Sequence, residues 1–187
     1  MKELKKERVG FLDIESSGLT ASFGFMMCYC IKRENGSVIK RCITPEELRS
    51  KTVDKRLVKQ LLEDLKQFDR IVTYYGSRFD IPFIRTRAIK WNLEFPHYES
   101  LYHTDCYYII RHRMKLHSNR LQTACDFFDI PSKGHKFNPE VWQRCQWGDP
   151  KALKFAIVHN VEDVVSTELL YHKVKEFVKV NKTSICL

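Results

Sequence analysis

Val9 to Ile14 is a short apolar run closing on acidic residues, and it reads as a buried strand. Phe25 to Lys32 is a second such run, apolar and aromatic, and Ser37 to Ile43 is a third. Between the second and third, Glu34-Asn35-Gly36-Ser37 carries the Asn-Gly pair of a tight hairpin. These three segments predict an antiparallel meander. After Pro45 the period changes. Leu57, Leu61, Leu62 and Leu65 recur at helical spacing, with Lys and Glu between them. That helix ends near Phe68, Arg70 to Tyr75 gives a short strand, and Gly76 marks a turn. The next helix is predicted to begin within Arg78 to Pro82 and to run towards Trp91, with Pro82 tolerated in its first turn. Leu101 to Thr104 is the fifth strand.

The remainder reads as helical: Cys106 to Arg113, Arg120 to Phe128, Asn138 to Gln146 and Asp149 to Val180. Asp149 followed by Pro150 is a good N-cap and first-turn pair. The order β-β-β-α-β-α-β, then helices, predicts an α/β fold with a mixed five-stranded sheet flanked by helices. No internal repeat, low-complexity tract or interdomain linker interrupts it. Residues 1–187 are therefore read as a single domain, long enough to bury a substantial core.

Charge adds a partner class. The net charge is +9, from 32 Lys and Arg against 23 Asp and Glu. Such an excess favours polyanions, because bound phosphates release their counterions. A basic surface without a ligand gives the same total, so charge alone does not decide. No stretch approaches the roughly 20 apolar residues of a membrane span. MKELKKERVG is basic but leads into an apolar run too short for a secretory leader. An intracellular protein, cytoplasmic or nucleoid-associated, is expected. The seven cysteines include no CxxC pair, which gives a zinc site little support. They are expected to be reduced and buried, with Cys28 and Cys30 on one strand face.

The chemistry sits in three pieces. Asp13 and Glu15 stand at i and i+2 at the end of the first strand. They should project together while Leu12 and Ile14 pack into the core. Two carboxylates held so close repel unless a cation or proton lies between them. Hard divalent ions with oxygen ligands, Mg²⁺ or Mn²⁺, suit such a pair. The second piece is Tyr74-Tyr75-Gly76-Ser77-Arg78-Phe79-Asp80, a strand end, a turn and an acidic residue near a helix start. A carboxylate there also serves simply to complement the helix dipole. The third is His159-Asn160-Val161-Glu162-Asp163, where His159 and Asp163 share a helix face and Glu162 should point to solvent.

Taken together, D-x-E on the first strand, F-D after a later strand and turn, and a final Asp four residues after His159 resemble the DEDD exonuclease superfamily. The order and spacing match from residue 9 to residue 175. The resemblance is closer to stand-alone ribonuclease H-like exonuclease domains and to the proofreading domains of family B DNA polymerases. Tyr102-His103-Thr104-Asp105 also resembles the strand after the second motif in those relatives, although Asp105 itself is read as a helix-start residue. The resemblance implies a ribonuclease H-like fold and 3′→5′ exonuclease activity on DNA or RNA, acting at a single-stranded 3′ end. It also implies two divalent cations, Mg²⁺ or Mn²⁺, held by Asp13, Glu15, Asp80 and Asp163. Two such cations about 4 Å apart supply a hydroxide and relieve charge on the leaving 3′-oxygen. His159 would orient or deprotonate the attacking water, a role suited to imidazole.

One departure from that pattern concerns His159. Members of the superfamily carry either Tyr four residues before the last Asp or His five before it. Here His stands at the tyrosine spacing, and the residue five before Asp163 is Val158. For substrate contacts, Ser16, Ser17, Gly18, Leu19 and Phe79 lie beside the acidic motifs, where a backbone or an aromatic ring meets a terminal nucleotide. Lys133, His135 and Lys136 are candidates for phosphate contacts, and Trp142 and Trp147 are expected in the core. Two further readings stay open: a structure-selective endonuclease on the same scaffold, and a catalytically silent nucleic-acid-binding module. Keeping four clustered carboxylates argues against the silent module, since each costs stability without a metal.

Overall fold

A computed structural model of the chain describes residues 6–131, 138–178 and 182–186. The strands are β1 (Val9–Ser16), β2 (Met26–Arg33), β3 (Val38–Cys42), β4 (Arg70–Thr73) and β5 (Tyr102–Asp105). The helices are α1 (Pro45–Leu48), α2 (Lys55–Leu65), α3 (Asp80–Lys90), α4 (Cys106–Arg113), α5 (Leu121–Phe127), α6 (Pro139–Gln146) and α7 (Pro150–Val174). The sheet runs β3-β2-β1-β4-β5. The first three strands form the expected antiparallel meander, and β4 is parallel to both of its neighbours.

Helices cover both faces, which explains why β1 and β4 are apolar without clean alternation. Leu12 and Ile14 face the core built with Leu57 and Leu61 of α2 and Ile84 of α3. Val9 and Phe11 face the other core, with Ile110 of α4, Cys125 of α5 and Val164 and Leu170 of α7. The long α7 is fixed at both ends. Asp149 caps it, accepting from the N–H groups of Lys151 and Ala152 at 2.8 and 3.1 Å. Near its other end Glu168 is buried against the β2–β3 hairpin, meeting Lys32 Nζ at 2.9 Å and accepting from Asn35 N at 2.7 Å.

Several boundaries differ from those read in the sequence. β1 runs on through Glu15 and Ser16, paired with Cys28 and Met26 across a register irregularity. The short α1 was not expected, although Thr44 and Glu47 form a full capping box around Pro45. α7 ends at Val174 and passes into a single 3₁₀ turn, Lys175–Phe177. Residues 182–186 return along the edge of β5, where Thr183 O accepts from His103 N at 2.8 Å and Ile185 N donates to Leu101 O at 2.9 Å. All seven cysteines carry free thiols, five of them buried and Cys42 and Cys186 half-buried. Trp142 packs against the core as expected, but Trp147 is 72% exposed at the end of α6. No helix among the described residues is long and apolar enough to cross a membrane.

One buried ion pair ties the loop after β1 to the rest of the fold. Asp54 is fully buried and accepts from Arg87 Nε, Trp91 Nε1 and Met26 N at 2.8, 2.8 and 2.9 Å. Arg87 in turn donates to Ala21 O at 3.1 Å. Removing one member of such a pair leaves an uncompensated buried charge, which costs about 3–5 kcal/mol. Asp54→Ala should lower the urea unfolding free energy by about that amount. Asp54→Ala with Arg87→Met should recover part of it. A loss in the single variant no larger than at an exposed salt bridge would show that the pair is not a structural tie.

Candidate active site

The pairing of β1 with β4 is short and decides what happens at the acidic end. β4 matches β1 only at Val9, Gly10 and Phe11. Beyond Phe11 no strand among the described residues takes the β1 backbone on that side, yet its amides still need acceptors. The side chain of Asp80, in the first turn of α3, supplies one: its Oδ1 accepts from Ile14 N at 3.0 Å. Asp80 is thereby placed against the strand segment that carries Asp13 and Glu15. Gly76 makes this possible, because a Cβ there would collide with the Thr73 side chain where the chain turns off β4.

Asp13 and Glu15 project from the opposite side of the strand to Leu12 and Ile14, towards α7. The Glu15 Oε1 lies 3.9 Å from His159 Nε2, and Asp163 Oδ2 lies 3.7 Å from the same nitrogen. One ligand atom from each of Glu15, His159 and Asp163 falls within 4.8 Å of the other two. Asp13 is held differently. Asn160, fully buried on α7, donates its Nδ2 to Asp13 Oδ2 at 2.8 Å and so fixes the plane of that carboxylate. His159 and Asp163 thus share a helix face as the spacing predicts, with Asn160 one position round from His159. Glu162 is half-buried rather than solvated.

Burial raises the Asp80 carboxyl from an ordinary 3.8 to about 7, with Asp105 and Asp163 adding to the rise and the Ile14 N–H opposing it. The converging carboxylates and the imidazole offer oxygen and nitrogen donors to a hard divalent cation, and a cation among them would relieve that repulsion. The donor set therefore fits Mg²⁺ or Mn²⁺. Glu15, His159 and Asp163 are brought to within coordination range of one another. Asp13 and Asp80 are pinned at the same strand end by Asn160 and by the Ile14 amide.

Of the residues proposed for substrate contact, Leu19 is 83% exposed and Gly18 has open space where a Cβ would stand. Ser16 is buried, and its hydroxyl donates to Gly18 O at 2.7 Å, so it shapes the loop from within. Ser17 closes that loop, its Oγ accepting from Phe25 N at 2.9 Å. Phe79 is half-buried and rests on Phe83, with ring centroids 5.8 Å apart. Lys133, His135 and Lys136 lie outside the described residues. Asp105 is a helix N-cap, as its position suggests, but it also takes two further amides. Its oxygens accept from Tyr107 N, Tyr75 N and Ser77 N at 3.0, 2.8 and 2.9 Å. Nothing in the sequence signals that triple role, nor the bond from Asn160 to Asp13.

The pKa of Asp80 gives a test of its surroundings. A carboxyl whose folded value is raised adds stability that is fully present below 3.8 and is lost as pH rises through about 7. Asp80→Asn keeps an oxygen for the Ile14 amide but cannot ionise. In chelator, the variant should gain thermal stability relative to the unmodified protein as pH rises from 5 to 8, measured by thermal unfolding. A difference that stays constant across this range would mean that Asp80 is not held in a charge-excluding site.

A family model described as RNase_H superfamily matches residues 10–175 of the chain. Over 66 residues the chain is 37% identical to a DNA polymerase of Methanocaldococcus jannaschii, a stretch covering 33% of this chain and 4% of that polymerase. It is also similar to the structure of the family B DNA polymerase from the hyperthermophilic archaeon Pyrobaculum calidifontis. That likeness has a TM-score of 0.76 at 19% identity, and it covers 92% of this chain and 25% of that one. The chain therefore spans only a small part of the length of either relative.

Proposed function

The chain belongs to the RNase_H superfamily, and on that premise we propose that it is a metal-dependent 3′→5′ exonuclease cutting phosphodiester bonds of DNA or RNA. The observation that carries this reading is the convergence of Glu15, His159 and Asp163 within 4.8 Å, at the strand end where Asp13 and Asp80 are also fixed. In this reading Asp13, Glu15, Asp80 and Asp163 hold two divalent cations. When bound, these supply charge relief at the scissile phosphate and make water a better nucleophile near neutral pH.

The protein's own groups do the rest. Asn160 keeps the Asp13 carboxylate in one orientation, so that it need not be ordered during the reaction. Asp80, tied to the Ile14 amide, is likewise fixed before substrate arrives. His159 Nε2, between Glu15 and Asp163, takes the proton of the attacking water. The water oxygen bonds to phosphorus as the bond to the 3′-oxygen of the preceding nucleotide breaks, and that oxygen is reprotonated from solvent. Leu19 and the backbone at Gly18 meet the terminal nucleotide. The position of His159 also supports a second reading, in which its Nε2 is itself a metal ligand.

Strands labelled at the 3′ or the 5′ end, in DNA and RNA, test the direction of cutting and the substrate. With Mg²⁺ or Mn²⁺ the protein should release mononucleotides from the 3′ end and leave a circular single strand intact. Chelator should abolish release, and Asp13→Ala should reduce it by several powers of ten. Cutting of the circle would identify an endonuclease, and hydrolysis that survives chelator would sink the metal mechanism.

His159 is tested by its variants. His159→Ala should lose about 10²–10⁴-fold in rate, the usual range for general acid–base catalysis, while thermal stabilisation by Mn²⁺ persists. His159→Tyr should recover part of the rate, since a phenol still orients water. Loss of the Mn²⁺ effect in His159→Ala would make the imidazole a ligand, and near-normal turnover would remove it from the mechanism.

A further inference from the structure

Outside the acidic cluster, one surface combines aromatic rings and uncompensated cations. It begins on the turn that carries Asp80 and continues along α4. On the helix, Tyr107 and Arg111 form one i,i+4 pair, with Arg111 Nη1 donating to the Tyr107 hydroxyl at 3.2 Å. Tyr108 and His112 form the neighbouring pair, their rings stacked at 5.9 Å and 14°. The two pairs touch edge-on through Tyr107 and Tyr108 at 5.2 Å. The turn adds one group to each. Tyr75 rests against the Tyr107 ring at 4.7 Å, and Arg78 Nε donates to the Tyr108 hydroxyl at 3.0 Å.

The surface is preorganised. Tyr75 holds a left-handed backbone, φ 66°, which is costly for an aromatic residue and marks a conformation imposed by its surroundings. What imposes it is Asp105, whose buried carboxylate binds the Tyr75 and Ser77 amides of the turn and the Tyr107 amide of α4. One anion thus locks the two halves of the surface together. Tyr75 is nevertheless 45% exposed, and Arg78, Arg111, His112 and Arg113 are exposed. None of the three arginines meets a carboxylate among the described residues. Beside them opens a cavity of about 330 Å³, lined in part by Ser77, Tyr108, His112, Arg113 and Lys175.

Basic groups at the end of a helix are ordinary, since they complement its dipole. That explains neither Arg78, which is on another element, nor the strained and exposed tyrosine. We propose that this surface is a track for an unpaired nucleic-acid strand leading away from the catalytic cluster. Arg78, Arg111 and Arg113 meet its phosphates, and Tyr75, Tyr108 and His112 meet the faces of its bases. Alternating cations and rings suit a single strand, whose bases are free to stack, rather than a duplex. The proposal rests on the nuclease reading of the acidic site, and it adds a region of strand contact outside the acidic cluster.

The test is binding without turnover. Fluorescence anisotropy in chelator follows labelled 20-residue oligo-dT, oligo-U and a DNA duplex across a salt series. Arg78→Gln with Arg111→Gln, both exposed and compatible with folding, should weaken binding to one or both single strands by roughly tenfold. The salt slope should become shallower by about 1.4, two phosphate contacts at 0.7 each. Lys40→Gln with Lys59→Gln removes the same charge on β3 and α2, and should change affinity less than twofold. Tyr108→Ala should lower single-strand affinity by about the worth of one stacked base, roughly tenfold, with a far smaller change in salt slope. Equal losses in the two double variants, or none at Arg78 and Arg111, would overturn the track. If binding follows the predicted pattern but the metal-loaded protein cuts nothing, the exonuclease reading fails and the track stands. The converse result separates them the other way.

Discussion

The acidic end of the sheet depends on a hydrogen bond in which a side chain replaces a strand. β4 leaves β1 after three residue pairs, and among the described residues no strand then neighbours the amide of Ile14 on that side. Asp80 accepts it. Had β4 continued, the ladder would have been complete and Asp80 would have had no reason to approach. The early end of β4 therefore does two things at once. It opens a place beside β1 for a residue from the following helix, and it turns a backbone requirement into a fixed carboxylate position. Asp13 and Glu15, on either side of Ile14 in the chain, complete a site whose parts come from β1, α3 and α7.

Burying so many acids in one place is costly, and the structure treats each according to its partners. Asp54 and Asp105 are compensated within the protein, the first by Arg87 and Trp91 and the second by three backbone amides. Such carboxylates organise the fold. Asp80 is raised chiefly by its burial, with Asp105 and Asp163 adding to the rise and backbone amides only partly opposing it. His103 shows the complementary case: burial lowers its pKa to about 4, and its neutral ring bonds Thr73 Oγ1 at 2.9 Å, helping to hold β4 to β5. Asp54, Asp105 and His103 thus belong to the frame, while Asp13, Glu15 and Asp163 converge where a bound cation would bring the opposite sign.

Much of this was legible in the chain. The i, i+2 spacing of Asp13 and Glu15 fixed their common face, and the i, i+4 spacing of His159 and Asp163 did the same on α7. The meander followed from Asn35-Gly36 and the runs on either side. What escaped was of another kind. Asn160 meets Asp13 across 147 positions of sequence, and no local pattern points to an amide that orients a carboxylate. Asp105 looked like a helix cap and is one, but its bonds to Tyr75 and Ser77 depend on how a separate turn folds over it. Trp147 looked like core and is exposed, standing as the cap residue just past the end of α6. Periodicity reports which way a side chain leaves its own element, and says nothing of what another element brings to meet it.

The buried contact of Glu168 with Lys32 and Asn35 has a consequence for how faithfully the protein folds. A slip of one residue between β1 and β2 would turn Asp13 and Glu15 to the wrong face of the sheet. Slips of this kind are tolerated where strands are weakly specified, and they could escape detection at a site far from the hairpin. Here α7 is a single rod. It reaches β1 with His159, Asn160 and Asp163, and reaches the hairpin with Glu168 about one to two turns further on. A misregistered hairpin would leave Glu168 buried without its cation and without its amide, a cost of several kcal/mol. The far end of the helix thus acts as a checkpoint on strand alignment, so that a molecule able to close its core is also one in which the acidic residues face the right way.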